Sequence, residues 1–106
     1  MWVYVCKKVS DIPEHGLGME VDGRHIAVFR IDGQVYATNN ICTHQFALLT
    51  EGCLDGEFIE CPMHQGRFHV PSGQAQGTPV TVDVETYPVR VTDVGVEVDL
   101  KSADGV

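Results

Sequence analysis

Short strand-like apolar runs are separated by turn residues, and no stretch sustains the 3.6-residue apolar period of a helix, which predicts a nearly all-β protein with stacked antiparallel sheets. Trp2 to Lys7 reads as a first strand, interrupted by Ser10-Asp11-Ile12-Pro13 and a loop with His15, Gly16 and Gly18. Met19–Val21, Arg24–Ile31 and Gln34–Thr38 follow as strands separated by Asp22-Gly23 and Asp32-Gly33. Such dipeptides form tight hairpins because their residues tolerate positive φ. Asp55-Gly56 predicts a third hairpin between Cys53-Leu54 and Glu57–Cys61. Arg67–Val70 is a short strand stopped by Pro71-Ser72-Gly73, and Gln76-Gly77-Thr78-Pro79 is a breaker-rich loop. Tyr87–Thr92 and Val94–Leu100 alternate across a turn at Asp93 to Gly95, so the chain ends in antiparallel pairing. Trp2, Tyr4, Phe29 and Tyr36 read as packing residues of the strands.

Two pieces interrupt this pattern, Cys42-Thr43-His44 and Cys61-Pro62-Met63-His64, sixteen residues apart. Four soft or borderline ligands in two pairs point to a metal. Zinc accepts two thiolates and two imidazoles, but its small finger sequences pair Cys with Cys and His with His. Here each half carries one of each. Mixed pairing suits a two-iron cluster, with both thiolates on one iron and both imidazoles on the other. A structural zinc knot of the same four residues remains the alternative.

Cys42-Thr43-His44 and Cys61-Pro62-Met63-His64-Gln65-Gly66-Arg67-Phe68 resemble the two cluster loops of Rieske ferredoxins. The resemblance runs from about Trp2 to Leu100, and is strongest to the ferredoxins of bacterial aromatic-ring-hydroxylating dioxygenase systems. It implies a Rieske fold: stacked antiparallel sheets in a single domain over 1–106, with a small cluster-binding subdomain at about 39–79 inserted in a β base. It also implies one 2Fe-2S cluster held by Cys42, His44, Cys61 and His64, and a loop at Gln76 to Pro79 over the cluster's remaining side. By the same resemblance the protein is a one-electron carrier rather than an enzyme. A flavin-dependent NAD(P)H reductase fills it, and a terminal aromatic-ring oxygenase empties it. A Rieske small subunit of another oxidoreductase, similar to nitrite reductase, is a second reading. High-potential members of the superfamily join their cluster loops by a disulfide and aim Ser and Tyr hydroxyls at the cluster sulfurs. This chain has Ala47 and Met63 at the disulfide positions, and Gly66 and Phe68 at the hydroxyl positions. Its potential is therefore expected near the low end of the Rieske range, roughly −150 mV. Gln45, Phe46, Leu48, Pro62 and Met63 are expected to shield the cluster, while His15, His25 and His69 lack ligand-like spacing.

Charge refines this picture. Fifteen acidic against seven basic residues give a formal charge of −8, which disfavours nucleic acid and anionic membrane as partners. From Ile31 to Gly66 there are Asp32, Glu51, Asp55, Glu57 and Glu60 but no Lys or Arg, an acidic face suited to basic redox partners. The longest apolar run, Met1 to Cys6, is too short for a membrane span or a signal peptide, so a cytoplasmic monomer is expected. Cys6 and Cys53 are left as reduced, partly buried thiols. An oxygenase's mononuclear iron takes two His and a carboxylate, and no such set stands outside the two motifs.

Overall fold

The computed structural model describes residues 1–43, 46–63, 66–76 and 82–100. Among the described residues eleven strands make three antiparallel sheets, and the helical content is two single 3-10 turns, Val9–Asp11 and Leu49–Glu51. β1 (Trp2–Cys6), β11 (Val96–Asp99) and β10 (Val89–Val91) form the first sheet, in the order β1-β11-β10. The second is β2-β3-β4-β9, from Leu17–Val21, Arg24–Ile31, Gln34–Asn39 and Thr86–Tyr87. β5 (Cys53–Asp55), β6 (Phe58–Glu60), β7 (Arg67–His69) and β8 (Ala75–Gln76) make the third as a simple meander. This third sheet lies in sequence between β4 and β9, which pair with each other through Ala37↔Tyr87 and Thr38↔Thr86. The chain thus leaves the middle sheet, builds a complete sheet of its own, and returns to the strand it left.

β3 explains how the layers stack. Its side chains alternate, as a strand's must. Ile26 and Val28 join Ile12, Ala37, Tyr87, Val98 and Leu100 in one core. Ala27, Phe29 and Ile31 join a second core with Leu49, Ile59, Phe68, Val70 and Val84. Both faces of β3 are buried, which is why Ile26-Ala27-Val28-Phe29 is an unbroken apolar run where a one-sided strand would alternate. The first sheet covers one face of the middle sheet, and the 53–76 sheet covers the other.

Turn chemistry follows the sequence closely at two hairpins. Asp22 and Gly23 have φ of 50° and 81°, and Asp32 and Gly33 have 51° and 79°, the double positive φ of type I′ turns. The third hairpin differs. Asp55 pairs with Phe58, so the two-residue loop is Gly56-Glu57 and not Asp55-Gly56. Gly56 has a φ of 60°, fitting a type II′ turn, in which the first loop residue takes the positive φ.

Three expectations change. The predicted strand Tyr87–Thr92 splits at Pro88, because proline has no N–H for the ladder; Tyr87 stays with β4 while Val89–Val91 pairs with β11. Ile12, read as part of an interruption, is fully buried in the first core. Trp2 and Tyr4 are not core residues: they stand on the open face of β1, where the Arg90 guanidinium lies 4.1 Å from the Trp2 ring centroid and also bonds Glu97 at 2.6 Å.

Candidate metal centre

Two loops carry the ligand motifs, and both close in the same way. The Cys42 N–H donates to the Ala47 carbonyl at 2.9 Å, and the Cys61 N–H donates to the Gly66 carbonyl at 3.0 Å. Each loop therefore begins at its cysteine and shuts five residues later. Cys42 and Cys61 are each 2% exposed and belong to the same core as Phe29, Leu49, Ile59 and Phe68. His44 and His64 lie outside the described residues, as do Gln45 and the part of the 76–79 loop from 77 onward.

The supports of the two loops differ. Cys61–Gly66 caps the β6–β7 hairpin, whose register Phe58↔His69, Ile59↔Phe68, Glu60↔Arg67 leads straight into it. Cys42–Ala47 has only the isolated bridge Ile41↔Leu48 beneath it. Asn40 takes over there. Its N–H donates to the His25 carbonyl at 2.8 Å, and its own carbonyl accepts from the Leu49 N–H at 2.8 Å. The side-chain oxygen accepts from the Thr50 N–H at 2.9 Å, and the side-chain nitrogen donates to the Thr50 hydroxyl at 3.0 Å. At the rim, the Thr43 hydroxyl donates to the Val82 carbonyl at 2.6 Å, tying this loop to the segment after residue 81.

Two thiols held in an otherwise apolar core suit a soft, thiolate-binding metal group. An iron–sulfur cluster is such a group, and the shared core holds one thiol from each loop. Phe68 beneath the second loop is fully buried in the core that holds both thiols, and its ring carries no hydroxyl.

Several side chains depart from expectation. Phe46 is 74% exposed and Met63 64% exposed, and Pro62 is exposed as well. All three face solvent, with Phe46 edge-on to His25 at 6.1 Å between ring centroids. Leu48 is half-buried. Cys53 is exposed rather than partly buried, because it sits on the outward face of β5, opposite Glu60. Cys6 is half-buried; burial, and then the Asp11 carboxylate, push its thiol pKa up. Tyr87 is likewise raised, chiefly by burial and then by Glu85, whose carboxylate accepts from its hydroxyl at 3.3 Å.

The acidic residues fall into two kinds. Asp55 lies 4.0 Å from Arg67, and Glu57 lies 2.7 Å from the His69 ring, whose other nitrogen is 2.8 Å from the Ser72 hydroxyl. Glu51 and Glu60 instead flank a groove of about 470 Å³ floored by Gly52, Cys53 and Cys61 and edged by Pro62 and Met63. His15, far from any ligand motif in sequence, accepts the Leu54 N–H on its Nδ1 at 3.1 Å and so braces the 53–76 sheet against the 13–16 loop.

No helix is long and apolar enough to cross a membrane among the described residues. The Rieske [2Fe-2S] domain matches residues 1–88. The ferredoxin component of the naphthalene 1,2-dioxygenase/salicylate 5-hydroxylase systems of Ralstonia sp is 47% identical over 89 residues, covering 83% of this chain and 86% of that protein. The naphthalene 1,2-dioxygenase ferredoxin component of Pseudomonas putida is 46% identical over 93 residues, covering 87% and 89%. Among solved structures, the complex of reduced oxygenase and oxidized ferredoxin in carbazole 1,9a-dioxygenase contains a chain that superimposes with a TM-score of 0.86 at 40% identity, over 92% of this chain and 91% of that one. With two like-closed cysteine loops on one core and a family match over most of its length, this chain belongs to the Rieske [2Fe-2S] domain family.

Proposed function

We propose that this protein is the one-electron carrier of an aromatic-ring dioxygenase system, and that Cys42, His44, Cys61 and His64 hold its 2Fe-2S cluster. The observation that carries this is the pair of buried thiols on two loops with the same backbone closure, in a chain nearly half identical to dioxygenase ferredoxins. A bound cluster of this type supplies reversible one-electron storage. Cys42 and Cys61 would supply thiolates to the cluster from within the core, and His44 and His64 would supply imidazoles. The chain keeps water from the sulfur side with Phe68, Leu49 and Ile59.

A flavoprotein reductase using NAD(P)H delivers the electron and a terminal oxygenase accepts it; the carrier itself transforms no substrate and works as a cytoplasmic monomer. Residues 1–106 act as one domain in which the segment at about 39–79 carries the cluster. Pro62 and Met63, exposed on a groove that Glu51 and Glu60 also line, suit a partner surface that is apolar at its centre and basic at its edge. Iron and acid-labile sulfide analysis with EPR tests the centre. Two irons, two sulfides and the low average g value of His-ligated iron are expected per chain; stoichiometric zinc would refute the reading. Reduction by a ferredoxin reductase and NADH, followed by reoxidation on adding a dioxygenase with its aromatic substrate, tests the role.

A further inference from the structure

The first cysteine loop lacks a ladder of its own, yet it must be held as firmly as the second. Asn40 is 3% exposed, and its backbone and side chain together engage His25, Leu49 and the N–H and hydroxyl of Thr50. Asn40 precedes the loop and Thr50 follows it, so their bonds shut the loop at its base. The base sheet is shaped to receive this clamp. A Cβ on Gly18 of β2 would stand 2.9 Å from both the Asn40 side-chain nitrogen and the Thr50 hydroxyl, closer than such atoms approach, and Gly18 lacks the positive φ that would otherwise explain a glycine.

We propose that Asn40 and Thr50 are positioning residues for the cluster: a buried polar clamp that replaces the missing hairpin under Cys42 and thereby sets where the first ligand loop stands relative to the second. The inference rests on the ligand assignment above. Asn40 is buried and its side-chain nitrogen has the half-buried Thr50 hydroxyl as its acceptor, so removing that hydroxyl weakens the loop base. Gly18→Ala reaches the same clamp from the opposite strand, without touching the loop.

Holoprotein of the parent, Asn40→Ala, Thr50→Val, Thr50→Ser and Gly18→Ala is challenged with an iron chelator while the visible absorbance is followed. Val28→Ala, in the other core, controls for stability lost elsewhere. Thr50→Val, Asn40→Ala and Gly18→Ala should release iron about tenfold faster than the parent, and Thr50→Ser should stay within about twofold, since it keeps the hydroxyl. EPR line shape should change in the first three and not in Val28→Ala, and the Leu49 and Thr50 amides should exchange faster in the same three. Where Asn40→Ala gives no holoprotein, Thr50→Val against Thr50→Ser decides alone. Iron release from the clamp variants no faster than from Val28→Ala, or no rescue by Thr50→Ser, overturns the inference. A parent that binds no iron overturns the ligand assignment instead.

Discussion

The two cysteine loops share one closing hydrogen bond and differ in everything beneath it. Cys61–Gly66 crowns a hairpin, so strand pairing fixes it and its supports are backbone groups that any sequence supplies. Cys42–Ala47 is reached by a strand that ends at Asn39, and besides one backbone bridge and the main chain of Asn40 its supports are particular side chains: Asn40, Thr50 and Thr43. A loop on a ladder tolerates change in its polar side chains but depends on the core under the ladder. One that is clamped depends on the polar side chains themselves. Several measurements bear on that contrast.

Ligation should be the one property the loops share, and it gives the largest effect. Cys42→Ser and Cys61→Ser should each abolish iron binding, whereas Cys6→Ser and Cys53→Ser should keep full iron content. Bleaching by either of the latter would mean that the cysteines are divided differently. Next in size is the core under the second loop. Phe68→Ala should destabilise the protein by about 3–5 kcal/mol, because a fully buried ring leaves a cavity, while Phe46→Ala on the rim of the first loop should stay within about 0.5 kcal/mol. Thermal unfolding of both holoproteins checks this pair, and equal losses would erase the distinction between ladder and rim.

Electron delivery gives a smaller effect. Glu51 ends the turn after the first loop and Glu60 immediately precedes Cys61, so each loop contributes one acid to the groove. Glu51→Gln and Glu60→Gln should each slow transfer to the oxygenase a few-fold at low salt. Asp55→Asn and Glu57→Gln, whose carboxylates already face Arg67 and His69, should slow it less. The differences should shrink as salt rises, since screening acts over about 8 Å at physiological ionic strength. Stopped-flow rates independent of both salt and position would leave the acids to solubility.

Phe68→Tyr should raise the midpoint potential by about 40 mV, taking ~1 kcal/mol as the part of a new hydroxyl bond that strengthens on reduction. Voltammetry on the intact variant reads it, and an unchanged or lower potential would refute the link between the missing hydroxyl and a low potential. Smallest is a difference in labelling rate. In the native protein Cys53, exposed on β5, should alkylate before Cys6, whose raised pKa leaves less thiolate at neutral pH. Mass mapping after a short pulse of iodoacetamide tells them apart.

What could be read from the residues alone was what lies close together in the chain. Both Asp-Gly hairpins, the apolar run of β3 between them and the two ligand motifs are local signals. Ile12 escaped because a single buried residue between Asp11 and Pro13 has no period to reveal it, and the division at Pro88 escaped because alternation continues across it while the partner strand changes. Trp2 and Tyr4 were assigned to packing by type, but the open side of β1 is decided by which sheet covers which face. The Asn40–Thr50 clamp spans ten residues and the Thr43–Val82 bond thirty-nine, and nothing in the spelling of a polar residue shows which distant group it will meet.

Because both faces of β3 are buried, the two cores should unfold as a single unit. Ala27, Phe29 and Ile31 hold the side on which both cysteines lie, and Ile26 and Val28, one residue away on the same backbone, hold the side that never meets the metal. The free energy of cluster binding is therefore not confined to the loops: by mass action it stabilises whatever must unfold with them. Loss of iron should loosen amides of β1 and β11 as well as those of β5 to β7, and the holoprotein should melt in one transition where two loosely joined halves would give two.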